Sequence, residues 1–423
     1  MANTILNPSI IAKAAVRILE NELVMANLIY RGYEDEFEKK VNGYDVGDTI
    51  SIRKPTQFTV RQTITASAQD VTEGKMTMTA NNIRGVDFAF TSTQLTLNIG
   101  ELSERVIKPA MVQLANSVDI AVMAEFFRVP NWVGMPATNA TDPVIDSYIK
   151  LAQGAQRLDQ YSVPSDDRYA VLAPESYWAM AGSQTALFLQ NIGNKAYRKG
   201  EIGEIANAET YMSPNVPTLT NGTGADAAAL VNGAAQNVAY SAVLNTESVP
   251  GTQTLITSTW GANATIPNGT VFTLAGVQAV NPITKATLPF LQHFTVLSGG
   301  PADGTGAATL TITPAIITSG AFQTVSAAPA NGAALVVAGT ASVAYRQNLM
   351  FHKNAFALAV VPLVKPPGAV SVARESYKGL SVRIIPYYDG TNDVSNYRCD
   401  ILFAVKTADP RLAVRMSGGA STI

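Results

Sequence analysis

The sequence predicts an α+β chain in which an all-β domain interrupts a domain of mixed helices and strands. Three observations carry that prediction. Residues 98–130 follow a helical period and are apolar on most sides. Between Gly43 and Leu97 the period changes from about 3.6 to 2, without a helix. From about Asn215 to Tyr345 the only charged residues are Asp226, Glu247, Lys285 and Asp303, in a run of short strand-like pieces.

A chain of 423 residues has room for two or three domains, and its 47% hydrophobic content is ordinary. Its charged fraction is 15%, where about a quarter is typical. Thr, Ser, Asn, Gln, Ala and Gly must therefore cover much of the surface, or the surface is buried against other chains. Packing against copies of itself is one economical explanation. The net charge of −2 argues against affinity gained by neutralising phosphates, though not against a container that tolerates nucleic acid. Cys399 is the one cysteine, so no intrachain disulfide can form. The opening MANTILNPSII lacks the basic and apolar regions of a signal peptide, and no stretch reaches the roughly 18 apolar residues of a membrane span. The chain reads as soluble and made in a cytoplasm, with no membrane partner.

In order along the chain, residues 7–32 predict an amphipathic helix: Asn7 caps, Pro8 fits the first turn, and Gly32 closes it in a left-handed conformation. DTISIRK, QFTVRQTIT and KMTMTAN then alternate, placing Met76, Met78 and Ala80 on one face. A two-stranded ribbon is marginal alone in water and needs a platform. Arg53, Lys54, Arg61, Asp70, Glu73 and Lys75 give it both charge signs, which suits a contact with another subunit as well as a solvated edge. VDFAFTSTQLTLN is a better strand, with Val86, Phe88 and Phe90 on one face.

The long helix opens at Asn98 with Glu101 as the returning member of a capping box. Glu101, Arg105, Lys108, Asn116 and Asp119 make a narrow polar stripe for solvent or a neighbouring subunit, and Pro109 predicts a kink or a short lead-in turn. After a turn-rich connector, Asp142-Pro143 starts a helix, RYAVLA reads as a buried strand, and Pro174 opens another helix. TLITSTW, TVFTLAG, HFTVLS, ATLTITP and ALVVAG predict a small barrel or sandwich. From Arg346 the α/β texture resumes, so the β domain is an insertion.

Chemistry finds no support. His293 and His352 lack metal spacing, and Cys399 lies in a strand-like run. NGTGAD and SGGPADGTG lack the Lys-Ser/Thr ending of a phosphate loop. Asp166 with Asp167, and Glu34, Asp35, Glu36 and Glu38, read as solvated faces. TGAD and DGTND do not complete a calcium loop. No catalytic residue, metal or cofactor is predicted, and the chain is not read as an enzyme.

The order of these elements, with AYRKGEIGEIANAETYMSPNVP, NLMFHKNAFALAVVPL and CDILFAVKTADPRLAVRMSG, resembles the major capsid proteins of tailed bacteriophages. More narrowly it resembles the P22-type coat proteins, which carry an insertion domain. The resemblance implies an HK97-like fold: an N-terminal arm over 1–42, an extended β-loop over 43–85 lying on the adjacent subunit, and a peripheral domain over 86–139 with 98–130 as its spine helix. It further implies an axial domain beginning at 140–214, an inserted β-barrel over 215–345, and a return to the axial and peripheral domains over 346–423. The implied function is self-assembly, as hexamers and pentamers, into an icosahedral shell around double-stranded DNA. The implied partners are further copies of the chain, a scaffolding protein, a portal and non-specifically packaged DNA. Intersubunit contact candidates are Arg53, Lys54, Arg61, Asp70, Glu73, Lys75, Glu101, Arg105 and Lys108. An encapsulin-like compartment with enzyme cargo is the alternative. A secreted adhesin-like β protein fits less well, given the α/β halves that flank the insertion.

Overall fold

The computed structural model describes residues 12–13, 15–19, 23–33, 37, 40–41, 44–45, 48–61, 63–66, 68–69, 71, 73–91, 106–135, 144–185, 202–240, 251–366, 372–377 and 380–418. The chain forms two compact units. One comprises residues 1–50, 78–122 and 357–406, and the other 51–77, 123–356 and 407–423.

The first unit is built on an antiparallel sheet whose centre is the long strand Val394–Thr407. Leu380–Asp389 lies on one side of it and is followed by Ala373–Tyr377, while Asn82–Thr91 and Phe356–Val361 share its other side. Alternation in VDFAF sets the register: Val86 faces Cys399 and Phe88 faces Tyr397, with the two rings stacked at 5.4 Å. Cys399 is thereby buried, and burial pushes its thiol up to about 12. Beside it the buried Asp400 accepts from Arg383 at 2.6 Å and from Arg398 at 2.8 Å.

The long helix is regular over Lys108–Met123, after a wider turn at 106–107, and tightens into a 3₁₀ turn over Ala124–Arg128. Residues 98–105 lie outside the described residues. Pro109 is the second residue of the regular helix. Its missing N–H falls among donors that have no intrahelical acceptor anyway, so it acts as lead-in rather than kink. Ile107, Met111, Leu114, Val118 and Val122 are buried. Residues 108–128 have a mean hydropathy of 1.3 over their most apolar window, enough by length and composition to cross a membrane. That corrects the expectation that no stretch would qualify. Its buried acid and buried apolar side chains make it a core helix here.

Asp119 also departs from expectation. Instead of lining a stripe open to solvent or a neighbour, it is buried. Its two carboxylate oxygens accept from the amides of Val24 at 2.8 Å and Ala26 at 3.0 Å. These are unsatisfied first-turn donors of the short helix Met25–Leu28, whose own cap residue supplies no side-chain acceptor. Burial raises the Asp119 carboxyl above the usual carboxylate range, opposed by the amides it accepts from. The continuous helix predicted for residues 7–32 is consequently broken. Helical residues occur within 12–19 and again in Met25–Leu28, with Leu23 and Val24 outside helix between them. The chain is already extended at Ile29, and Tyr30 bridges to Ala357, so Gly32 closes no helix.

The second unit contains a six-stranded mixed sheet in the order Trp132–Met135, Ala413–Gly418, Asn348–His352, Arg168–Leu172, Ala208–Met212 and Glu204–Ile205. The helix Tyr148–Gln160 buries Leu151, Ala155 and Leu158 in a core shared with Ala170, Leu172, Met350, Val414 and Met416.

The charge-poor segment is a barrel. Six strands run in the order Leu230–Val231, Gln253–Ser258, Ala308–Thr313, Thr287–Ser298, Val271–Val280 and Leu335–Val337. The Leu230 to Ala334 bridge, with Leu335 N donating to Ala229 O at 2.9 Å, joins the last strand to the first. Phe272, Phe294, Leu255, Leu310 and Trp260 fill it. Thr218–Thr220 and Ala344–Arg346, the legs entering and leaving, pair antiparallel. The barrel is fixed to the mixed sheet by Arg415. This fully buried guanidinium donates to Gly269 O at 2.9 Å and Thr295 Oγ1 at 3.2 Å, and lies 5.7 Å from the Phe126 ring. Burial without a carboxylate partner among the described residues pulls its pKa down to about 9.

Candidate intersubunit surface

The alternating stretch forms an antiparallel ribbon of Thr49–Arg53 and Lys75–Thr79. Lys54 N donates to Gly74 O and Ala80 N to Asp48 O, both at 2.8 Å. Met76 and Met78 are buried, as their common face requires. Between the strands the described residues of 54–74 are in no helix or strand, yet they make hydrogen bonds of their own. Thr59 N and Oγ1 donate to Gln69 Oε1 at 2.9 and 3.0 Å, and Gln69 Nε2 returns a bond to Thr59 O at 2.6 Å. Arg61 Nη1 donates to the carbonyls of Thr63 and Ile64 at 2.7 and 2.6 Å.

Within the second unit, residues 51–77 meet the barrel segment. Lys285 Nζ donates to Gln57 Oε1 at 3.3 Å. Gly74 has no room for a side chain, because a Cβ would come within 2.3 Å of the Tyr240 hydroxyl. Tyr240 is in turn stacked on Phe322 at 3.6 Å. Burial, with Arg411 nearby, takes Lys285 down to about 8.

Beyond this root the loop exposes apolar side chains that its own fold does not cover: Phe58 at 53%, Val60 at 92%, Ile64 at 101% and Val71 at 67%. Four exposed apolar side chains on one self-structured loop make it a candidate interaction surface. The residues singled out from charge are only part of it. Arg53 is exposed and meets Glu73 at 3.4 Å, Arg61 is spent on the loop's own carbonyls, and Lys75 and Lys108 are exposed. Lys54 is a correction: at 7% exposure it is withdrawn into its own subunit and cannot serve as a free contact. Asp70, Glu101 and Arg105 lie outside the described residues. Three of the four apolar side chains, Phe58, Val60 and Ile64, alternate in QFTVRQTIT, a stretch with no helix predicted to cover it.

The chemistry-bearing side chains are absorbed by structure. His293 Nδ1 accepts from Trp132 N at 3.3 Å, and His352 Nδ1 from Asn354 N at 3.2 Å. Among the described residues no group of three His, Cys, Asp or Glu is placed to hold a metal.

The profile of the P22 coat protein family, gene protein 5, matches residues 2–418. The chain belongs to that family. It is a phage coat protein, the major capsid component, whose copies assemble into a shell. A curated relative, the major capsid protein of Acyrthosiphon pisum secondary endosymbiont phage 1, is 23% identical over 392 residues. The match covers 88% of this chain and 90% of that one. Among solved structures, a Mycobacterium phage Che8 chain gives a TM-score of 0.49 at 13% identity, over 93% of this chain and 90% of the other. The mature capsid of bacteriophage PhiM1 gives 0.43 at 10% identity, over 88% and 82%.

Proposed function

We propose that this coat protein closes an icosahedral shell of hexamers and pentamers around double-stranded DNA, and that residues 51–77 are the arm each copy lays on its neighbour. The exposure of four apolar side chains on this one loop, Phe58, Val60, Ile64 and Val71, carries the reading. Apolar area left in water costs about 25 cal/mol per Å², and a contact with a neighbouring copy recovers it. An arm whose tip is preshaped by the Thr59–Gln69 and Arg61 bonds is ordered before it docks, which lowers the entropic cost of association. Contact around rings of five and six requires a heterologous surface, donor arm on one copy and acceptor on the next. A chain of net charge −2 gains little from neutralising phosphate, so DNA is enclosed rather than bound. A scaffolding protein and a portal complete the assembly in the host cytoplasm. The N-terminal arm, peripheral and axial domain divisions implied by the resemblance belong to the same proposal.

Deleting residues 55–75 tests it. The truncated chain is expected to fold, because Met76, Met78 and the barrel core remain, but to yield no closed particles by electron microscopy. Normal particles from the deletion would refute the arm. Particles of the intact chain that enclose a protein cargo rather than DNA, when expressed with the neighbouring phage genes, would favour the compartment alternative.

A further inference from the structure

The ribbon and the loop beyond it share one antiparallel register. Ala80 N bonds to Asp48 O and Lys54 N to Gly74 O, the hydroxyls of Thr49 and Thr79 meet at 3.0 Å, and further out Thr59 meets Gln69. Each step outward on one leg is matched by one step back on the other, so the loop continues the ribbon. A two-stranded ribbon is marginal alone, and its direction depends on what holds its root.

Both legs are held there, each by a different part of the barrel segment. On the returning leg, Gly74 lies against the Tyr240 hydroxyl with no space between them for a Cβ. The Tyr240 ring can make that space only by leaving its stack on Phe322, where the centroids are 3.6 Å apart and the planes 9° from parallel. Phe322 is itself buried with Ala315 and Ile317. On the outgoing leg, Gln57 Oε1 accepts from Lys285 Nζ at 3.3 Å. Lys285 sits in the turn between Val271–Val280 and Thr287–Ser298, at a φ of 58° that side chains rarely adopt. Asn281 pins that turn. Its Oδ1 accepts from Ile283 N at 2.9 Å and Thr284 N at 3.0 Å, and its Nδ2 donates to Gln160 O and Ser162 Oγ, both at 2.8 Å. One contact would leave the ribbon free to pivot, whereas contacts on opposite legs, to a stacked ring and a pinned turn, leave it one direction.

We propose that Tyr240 and Lys285 are positioning residues that aim the arm: they fix the direction in which residues 54–74 leave the subunit, and Gly74, lacking a side chain, lets its leg close on Tyr240. The proposal rests on reading this loop as the arm, but it concerns the free subunit, where direction is measurable before any neighbour is present. An arm already aimed gives up less freedom when it docks.

Spin labels at Ile64→Cys and Val336→Cys report that direction as a distance distribution in the soluble subunit. Both sites are exposed, while the native Cys399 is buried with its thiol pushed up to about 12, so it stays unlabelled. The intact root is expected to give one narrow distance. Gly74 is not in the left-handed region, so Gly74→Ala adds a methyl group without backbone strain, and it is expected to broaden or displace the distribution. Tyr240→Phe removes the hydroxyl and leaves the nearest ring carbon 3.7 Å from the added methyl position, an ordinary contact. The double variant Gly74→Ala with Tyr240→Phe is therefore expected to return the narrow distance. Lys285→Met is expected to broaden it through the other leg. A broad distribution in the intact chain, no change in Gly74→Ala and Lys285→Met, or no recovery in the double variant would overturn the proposal.

Assembly separates this proposal from the arm reading beneath it. With the neighbouring phage genes present, Gly74→Ala is expected to leave roughly three to ten times more soluble subunit beside closed particles, and the double variant to restore the wild-type level. A displaced loop with normal assembly would uphold the anchor and count against the arm. An undisplaced loop overturns the anchor whichever way assembly goes.

Discussion

Replacing Asp119 by alanine tests whether one side chain on the long helix holds the N-terminal segment in place. The carboxylate accepts from Val24 N at 2.8 Å and Ala26 N at 3.0 Å, both bonds well inside the range for charge-assisted pairs. Each such bond contributes about 1.5–3 kcal/mol, and two amides would be left unsatisfied in a buried setting. Removing the buried charge returns part of that, since its desolvation is the dominant influence on the carboxyl. A net loss of about 3 kcal/mol is expected, equivalent to roughly a hundredfold in a local opening constant. Native-state hydrogen exchange reads it directly. The Val24 and Ala26 amides of Asp119→Ala should exchange about a hundredfold faster, while amides of the Leu380–Asp389 strand stay protected. Unchanged protection at Val24 and Ala26 would refute the capping role. Equal acceleration in the sheet would show that the loss is global instead.

Asp400→Asn leaves Arg383 and Arg398 without their anion. Because Arg383 and Asp400 are both largely buried, about 3 kcal/mol should be lost in urea unfolding of the subunit, and a loss under about 1 kcal/mol would contradict it. Lys285 gives a pH dependence of definite sign. Its folded pKa of about 8 lies below the ordinary lysine value of 10.5, so between them the unfolded chain binds more protons and stability rises with pH. Subunit urea midpoints should therefore climb from pH 8 towards pH 10 in wild type and climb less in Lys285→Met; identical slopes would remove Lys285 from the explanation.

Periodicity made the sheet-forming parts legible because burial follows alternation directly. Met76 and Met78 turn inward, Val86 and Phe88 share a face, and the charge-poor segment closes into a barrel. What stayed hidden depends on partners remote in sequence. Asp119 projects onto a polar stripe, and nothing local reveals that amides 95 and 93 residues away will meet it. The same contact explains the interrupted helix at Val24, where local propensity favours continuation. Charge alone did not show which loop side chains are exposed: Lys54 is buried and Arg61 donates to the loop's own carbonyls, while Phe58, Val60, Ile64 and Val71 stand exposed beside Arg53 and Lys75. Arg157 and Arg415 look in sequence like any surface arginine, and only the barrel strands that close over them make their burial visible.

The paired legs Thr218–Thr220 and Ala344–Arg346 have a consequence for how such a chain is put together. Seen from the mixed sheet, the barrel segment is the turn of a two-stranded hairpin: the backbone departs and comes back at neighbouring points. The barrel core, from Leu255 to Leu310, can condense from contacts made wholly inside the excursion. Its formation then turns a long, entropically expensive closure into a short one for the strands Arg168–Leu172 and Asn348–His352, which pair on either side of it. In that sense the barrel works as a fastener between the two strands that flank it, and a barrel that failed to fold would lengthen the search those strands face.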